Sequence, residues 1–350
     1  MTKSRANATA EAAKGDLRAG SGTNTTTILP VGTDGSTLVA NSANASGLGW
    51  GTPSQSNPVL NSAFQVWQRG TSFTAATTYT ADRWYKDTNT GRTVSRQVTG
   101  DTTNLPNIQY CLRYQRDSGN ALTTALNLTQ SMESANSIPF AGKTVTMSFY
   151  ARAGSNFSAT SNVLAVYLVT GTGTDQNQRA GYTGQALPIN APVTLTTTWQ
   201  RFIATGTIAA TATEIATVFE YTPTGTASTN DYFEITGVQI DVGSVALPFR
   251  TYAGTLQGEL SAAQRYYFVG NARWQGYNGS STTGSRITIS LPVSQRTNTQ
   301  TITLSGSSFS GYSSITAEAW DNQAIVLLPT PNATGDNKFW ITQFSTSAEL

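Results

Sequence analysis

Lys143-Thr144-Val145-Thr146-Met147-Ser148-Phe149-Tyr150-Ala151-Arg152 alternates apolar and polar side chains over ten residues. Successive side chains of an extended chain point to opposite faces, so a period of two marks a strand with one face in a core. The same reading extends to Val163 to Val169, Gln200 to Ala204, Thr217 to Tyr221 and Tyr232 to Ile240. These runs are rich in β-branched and aromatic residues and are separated by Gly, Asn and Thr turns, a pattern that predicts antiparallel strands. No helix-period stretch interrupts them. Their number and length predict two sheets packed face to face, a jelly-roll sandwich, over residues 54–254.

On either side the pattern changes. Residues 1–53 hold turn dipeptides around very short apolar stretches, such as Ile28-Leu29-Pro30-Val31-Gly32-Thr33-Asp34-Gly35. Large apolar residues there are too few to close a core, so the segment is expected either to stay disordered or to order against other chains. Ala10 to Arg18 is expected to form a short helix or remain flexible. Residues 255–350 read as a second, smaller β domain. Glu259 to Phe268 opens it, helical before Arg265, and Arg286 to Leu291, Thr299 to Leu304, Ala324 to Leu328 and Lys338 to Phe344 supply strands. The fold class is therefore all-β: a jelly-roll sandwich, a second β domain and an extended N-terminal segment.

Composition narrows the function. Only 11% of the 350 residues are charged, and 21 basic against 19 acidic side chains leave +2, with no basic field for a nucleic-acid backbone. Histidine is absent, which removes the commonest general base and metal ligand. A single cysteine, Cys111, excludes an intrachain disulfide; its setting in Gln109-Tyr110-Cys111-Leu112-Arg113-Tyr114 predicts a buried small side chain on a strand. No apolar run approaches the roughly 20 residues of a membrane-spanning helix, and no apolar leader follows Met1, so cytoplasmic synthesis without that export route is expected.

Several motifs are familiar in combination. Asn57-Pro58, Phe64-Gln65-Val66-Trp67-Gln68-Arg69-Gly70-Thr71-Ser72 and Tyr79-Thr80-Ala81-Asp82-Arg83-Trp84 resemble the opening of a β-sandwich module common in bacteriophage tail fibres and appendages. Gly237-Val238-Gln239-Ile240-Asp241-Val242-Gly243 with Ala246-Leu247-Pro248-Phe249-Arg250 resembles its closing strand, and Gln264-Arg265-Tyr266-Tyr267 with Leu291-Pro292-Val293 resembles the distal domain that often follows. The N-terminal Lys14-Gly15-Asp16-Leu17, Leu29 to Gly35 and Gly47-Leu48-Gly49-Trp50 are similar to the leading segments of such fibres, cyanophage ones included. The chain departs from the pattern at Ala263, Asp241 and Gln295, where family members often carry Cys, Glu and Arg. The resemblance implies a homotrimeric structural virion protein rather than an enzyme. It implies attachment through the N-terminus to a tail adaptor or other virion protein, with Leu29, Pro30, Val31, Leu48 and Trp50 as the anchoring residues. The distal β domains would face a host-surface polysaccharide, with no membrane insertion. A trimer would also cover strand edges, bury thinly packed apolar residues and multiply weak sugar contacts. A capsid decoration protein and a glycan depolymerase are the alternatives.

Residue chemistry points the same way. Trp274, Tyr277, Tyr312 and Trp320, with Trp340, gather in the last domain, several beside Gly, Asn or Ser, and suggest rings that stack on sugars; the plain alternative is core or trimer interface. Asp82-Arg83-Trp84 suggests a sugar or metal-supporting site, or an ion pair beneath a core tryptophan. No resident cofactor is expected. Bound calcium would have to use Asp231, Glu234 and Asp241, although no Asp-rich ligand loop is visible. In a regular strand Glu234 and Ile240 would share a face, which places Glu234 in a polar cluster. A glycosidase pair would come from Glu133, Glu214, Glu220 or Glu234, but no spacing singles out two of them. Gly171-Thr172-Gly173-Thr174 precedes no helix and lacks a phosphate-loop lysine, so it reads as a connecting loop.

Overall fold

The computed structural model describes residues 13–32, 36–51, 57–87, 90–105, 108–282 and 284–350. Among them the protein is all-β, with two face-to-face sheets in its central part. One sheet carries, in spatial order, Ala186–Asn190, Val163–Gly171, Glu214–Tyr221, Leu126–Ser131, Tyr85–Asp87 and Thr77–Tyr79, with Val193–Thr194 beside Val163–Gly171. The other carries Gln200–Thr207, Thr144–Ala153, Tyr232–Val242, Tyr110–Arg116, Arg92–Val98 and Ser72–Phe73. From Leu126 onward the long strands alternate between the two sheets, which is jelly-roll winding, and every ladder is antiparallel.

The alternation that decides the fold is realised in Thr144–Ala153. Val145, Met147, Phe149 and Ala151 enter the core between the sheets, where Phe149 meets Phe219 edge-on at 5.1 Å and Trp84 packs on Phe64 at 5.0 Å. Val145, Met147 and Phe149 each contribute about 1.5–3 kcal/mol by leaving water, and the methyl of Ala151 less. The opposite side of this strand is also covered. Residues 243–250 lie over it, and Gln239, Asp241 and Arg201 bond the backbone of Leu247 and Pro248 or the side chain of Arg250. That explains why Thr146 and Ser148 are buried as well.

One register prediction is corrected. Tyr232–Val242 contains a bulge, in which Ser148 faces Gln239 but Tyr150 faces Thr236. Gly237 takes φ +60° there, a left-handed conformation that favours glycine. The extra residue shifts the alternation, so Phe233, Ile235, Val238 and Ile240 all enter the core and Glu234 lies on the other face from Ile240. Glu234 does sit in a polar cluster, held by Arg113 at 2.6 Å and Arg152 at 2.5 Å.

The N-terminal segment forms two hairpins rather than a helix. Leu17–Gly22 pairs with Thr25–Leu29, and Thr37–Ala40 pairs with Leu48–Gly51. Trp50 joins them, its Nε1 donating to the Pro30 carbonyl at 2.6 Å. Its ring lies so close to Gly32 that a Cβ there would meet it at 2.7 Å. Ala10 to Ala12, part of the expected helix, lie outside the described residues.

The C-terminal part begins with the helix Leu256–Gln264, capped by Thr255. Two three-stranded sheets follow. Tyr267–Asn278, Gly335–Ser347 and Thr301–Ser310 form one, with Gly335–Ser347 central; Ile287–Ser290, Ala324–Pro331 and Tyr312–Ala319 form the other, with Ala324–Pro331 central. Ile325, Leu327, Phe339, Ile341 and Phe344 make the core between them.

This small domain is bound tightly to the sandwich. Glu349 accepts from Arg69 at 2.8 Å and from Arg83, and all three side chains are buried or nearly so. Arg83 stacks on Tyr266 and Arg69 on Tyr267, each at 3.6 Å. Arg265 grips Glu133 through two bonds of 2.9 Å, Gln68 donates to the Tyr267 carbonyl at 2.7 Å, and Glu259 accepts from the Asn61 backbone at 2.9 Å. Asp82 pairs with Arg69 at 3.0 Å rather than with its neighbour Arg83. Burial pushes the Asp82 carboxyl up to about 6, against the pull of Arg69. The motifs Gln68-Arg69, Asp82-Arg83-Trp84 and Gln264-Arg265-Tyr266-Tyr267 are therefore the parts of one joint.

Candidate binding surface

The C-terminal sheet built from Tyr267–Asn278, Gly335–Ser347 and Thr301–Ser310 turns one face to its own core and the other to solvent. Alternation assigns the side chains. Ala272 and Trp274 share the inner face with Phe339 and Ile341, whereas Arg273, Gln275 and Tyr277 share the outer face with Asp336, Lys338 and Trp340. Register sets them in rows: Arg273 beside Trp340 beside Ser308, Gln275 beside Lys338 beside Ser310, and Tyr277 beside Asp336.

The sequence-selected aromatics separate accordingly. Tyr277 is 75% exposed, and Trp340 is 53% exposed on the same face. Their rows are four positions apart along the strand, about 13 Å at the usual rise. Trp274 is half-buried, stacked on Phe339 at 6.1 Å and edge-on to Tyr312 at 5.9 Å. Tyr312 is 3% exposed and offers no ring face to a ligand. Its burial pushes the phenol above its usual range. Trp320 is 62% exposed but stands in the turn between Tyr312–Ala319 and Ala324–Pro331, on the other sheet. The structure thus puts Tyr277 and Trp340 on one face, in separate rows, and sets Trp274, Tyr312 and Trp320 apart from that face.

A shallow cavity of about 290 Å³ opens at Trp340, lined by Arg273, Ser308, Phe309, Ser310, Lys338 and Phe339 as well. The Arg273 guanidinium lies 5.8 Å from the Trp340 ring centre. Arg273 and Lys338 outnumber Asp336, so the face carries a net positive charge. An indole, a phenol ring, two cations, a glutamine and two hydroxyls on a nearly flat sheet can stack on a pyranose and donate to its oxygens. The strand Tyr267–Asn278 escaped sequence reading because Gly270, Asn271 and Gly276 interrupt its hydrophobic pattern. Had it been read, the odd spacing of Trp274 and Tyr277 would have placed them on opposite faces.

Apart from Glu220, which lines a cleft on the seven-stranded sheet of the sandwich, the acidic residues are otherwise engaged. The three carboxylates considered for calcium each meet arginine: Asp231 with Arg116 at 2.9 Å, Glu234 with Arg113 and Arg152, and Asp241 with Arg250 at 2.7 Å. Of the four acids considered for hydrolysis, Glu133 is bound by Arg265, Glu214 is fully buried and accepts from the Gln176 backbone at 2.5 Å, and Glu234 is fully buried between its two arginines. Cys111 is buried among Ala63, Leu105, Ile108 and Trp199, and burial pushes its thiol far up from its ordinary value. Gly171 ends a strand and the residues after it form a loop, with the Thr172 backbone bonded to Thr183.

Of the five residues expected to anchor the N-terminus, Leu29, Leu48 and Trp50 lie in the two hairpins and Pro30 and Val31 follow the first. Trp50 contacts Pro30 directly, Val31 is 52% exposed with its backbone N–H on Asp16 at 2.9 Å, and Leu29 and Leu48 are half-buried.

No family model and no curated protein matches the chain. Among solved structures it is similar to the enzymatically active domain of tailspike protein 4 of bacteriophage CBA120, at 16% identity and TM-score 0.34, over 53% of this chain and 21% of that one. It is similar to the CBM22-1 xylan-binding domain of Paenibacillus barcinonensis Xyn10C, at 12% identity and TM-score 0.33, over 55% of this chain and all of that one. It is also similar to the Stig cyclase Fisc of Fischerella, at 10% identity and TM-score 0.36, over 55% and 98% of the two chains. These low scores carry no weight beside the strand pairing itself.

Proposed function

We propose that the protein is a structural component of a virus particle that contacts glycans: a homotrimeric tail fibre, held to the tail by its N-terminal hairpins and meeting host-surface polysaccharide with its C-terminal domain. The observation that carries glycan contact is the exposed face bearing Trp340 and Tyr277 with Arg273, Gln275, Lys338, Ser308 and Ser310. Its excess of cations favours an acidic polysaccharide, whose carboxylates Arg273 and Lys338 would meet. The tail address and the trimer are supported by the resemblance of the motifs to phage fibres. Trimerisation would also pair the open edge strand Gln200–Thr207, where Ile203 is 57% exposed. The engagement of Glu133, Glu214 and Glu234 in buried bonds favours binding over hydrolysis.

The test is binding of the full chain to an immobilised acidic polysaccharide, such as polygalacturonate, before and after Trp340→Ala and Tyr277→Ala. Losses of at least tenfold for each, with unchanged far-ultraviolet circular dichroism, are expected. Equal binding by wild type and both variants overturns the assignment of this face. Mass from light scattering tests the trimer, and an antibody label on intact particles tests the tail address.

A further inference from the structure

The outer face of the seven-stranded sheet holds a second cleft, far along the chain from the first. Register places Asp87, Asn127 and Glu220 in one row across three strands, and Tyr85, Thr129, Val218 and Tyr167 in the next row across four. The short turn Gln178–Ala180 arches over them. Its Gln178 N–H donates to Ser131 Oγ at 3.1 Å, and Arg179 pairs with Asp87. The cleft is open to solvent, with a volume of about 180 Å³, lined by Asn127, Tyr167, Gln178, Arg179, Gln185 and Glu220 among others.

Three polar atoms in this cleft have no hydrogen-bond partner: Asn127 Oδ1, Gln178 Oε1 and Arg179 Nε. Asn127 itself is 8% exposed. An orphaned buried polar atom costs about 1–3 kcal/mol. Here two unpartnered acceptors and one unpartnered donor belong to side chains that line one cavity beside a half-buried tyrosine ring. Burial pushes the Tyr167 phenol above its ordinary value, and the Glu220 carboxylate adds to it.

We propose that this cleft is a second saccharide site, specific for uncharged sugars. A sugar hydroxyl both donates and accepts, so a vicinal pair satisfies Asn127 Oδ1, Gln178 Oε1 and Arg179 Nε together. Tyr167 supplies the apolar ring face. The charges select the class: Glu220 and Arg179 line the cleft, and Arg179 is already paired with Asp87, so the carboxylate of Glu220 is left to repel a uronate or sulfated sugar. The selection is opposite to that of the Trp340 face, and the inference stands without it.

The experiment titrates the full chain with cellohexaose, mannohexaose and hexagalacturonate by isothermal calorimetry and by Tyr and Trp fluorescence. At least one neutral hexasaccharide should bind. Asn127→Ala and Tyr167→Ala should each weaken that binding at least tenfold, while Trp340→Ala leaves it within twofold. Should Asn127→Ala fail to fold, Gln178→Ala in the turn over the cleft, outside the sheet, replaces it. Failure of both neutral sugars to bind at 10 mM overturns the proposal and leaves the orphaned atoms to water. Loss of neutral binding in Trp340→Ala with retention in Tyr167→Ala also overturns it, by assigning the binding to the other face. A failure confined to hexagalacturonate in the wild type counts against the Trp340 face alone.

Discussion

Replacing Glu349 by Gln removes the acid shared by Arg69 and Arg83 at the joint between the two β domains. The two arginines do not suffer equally. Arg69 keeps Asp82 at 3.0 Å and its stacking on Tyr267. Arg83, 2% exposed, keeps only the Ser131 carbonyl at 2.6 Å and the Tyr266 ring. Breaking a buried pair by removing one partner costs about 3–5 kcal/mol, because the other charge stays out of water. Gln keeps one acceptor, so about 3 kcal/mol is expected. For a cooperative unit of 150–250 residues that lowers the midpoint by roughly 6–12 °C. Scanning calorimetry should show the loss and also a second transition, as the domain of residues 255–350 uncouples from the sandwich. The cause is separable: Arg83→Met with Glu349→Leu should recover most of the loss, since an apolar pair removes the stranded charge. A single transition at an unchanged midpoint in Glu349→Gln would refute the reasoning.

Two further perturbations probe the same framework. Asp82 holds its proton to about pH 6 when folded and to 3.8 when unfolded, so between these values the folded state binds more protons and stability falls as pH rises. The size is about 3 kcal/mol; Asp82→Asn should flatten urea midpoints between pH 4 and pH 6, and parallel wild-type and variant profiles would sink the assignment. Gly237→Ala places a Cβ 2.9 Å from the Tyr150 ring at φ +60°. The backbone alone costs about 1–2 kcal/mol, so its urea midpoint should drop visibly, and an unchanged midpoint would mean that the bulge is not held as described.

The sandwich was legible because its longest strands bury one whole face. Val145, Met147, Phe149 and Ala151 write a period of two that nothing local contradicts. Legibility failed where a single residue changed the phase or broke the pattern. Gly237 inserts a bulge that moves Glu234 away from the face of Ile240. Gly270 and Gly276 hide the strand that carries both Trp274 and Tyr277. Aromatic residue types pointed to the right domain, but only pairing across Gly335–Ser347 shows that Tyr277 belongs with Trp340 while Trp274 and Tyr312 fill the core. The second cleft left no local signature. Asp87, Asn127, Tyr167, Arg179 and Glu220 are scattered over more than a hundred positions, and long-range strand pairing alone gathers them. The joint is a similar case: Asp82-Arg83 reads as an ion pair, yet Asp82 pairs with Arg69 and Arg83 with Glu349, at the far end of the sequence.

The joint also bears on how the two surfaces act. Each offers one or two rings and a few polar groups, enough for weak contact with a sugar. Fixed on one body, a second contact on the same polymer becomes intramolecular, and its effective concentration is set by how firmly the two domains are held. Loosening the joint should therefore leave short-ligand affinity alone and weaken only binding to long chains that reach both surfaces. Glu349→Gln is the variant that separates these, since neither the Trp340 face nor the Asn127 cleft includes Glu349. Wild-type affinity for neutral and acidic hexasaccharides with reduced retention on a mixed polysaccharide is the expected result. Equal retention would show that the two surfaces act separately, and that the joint contributes stability alone.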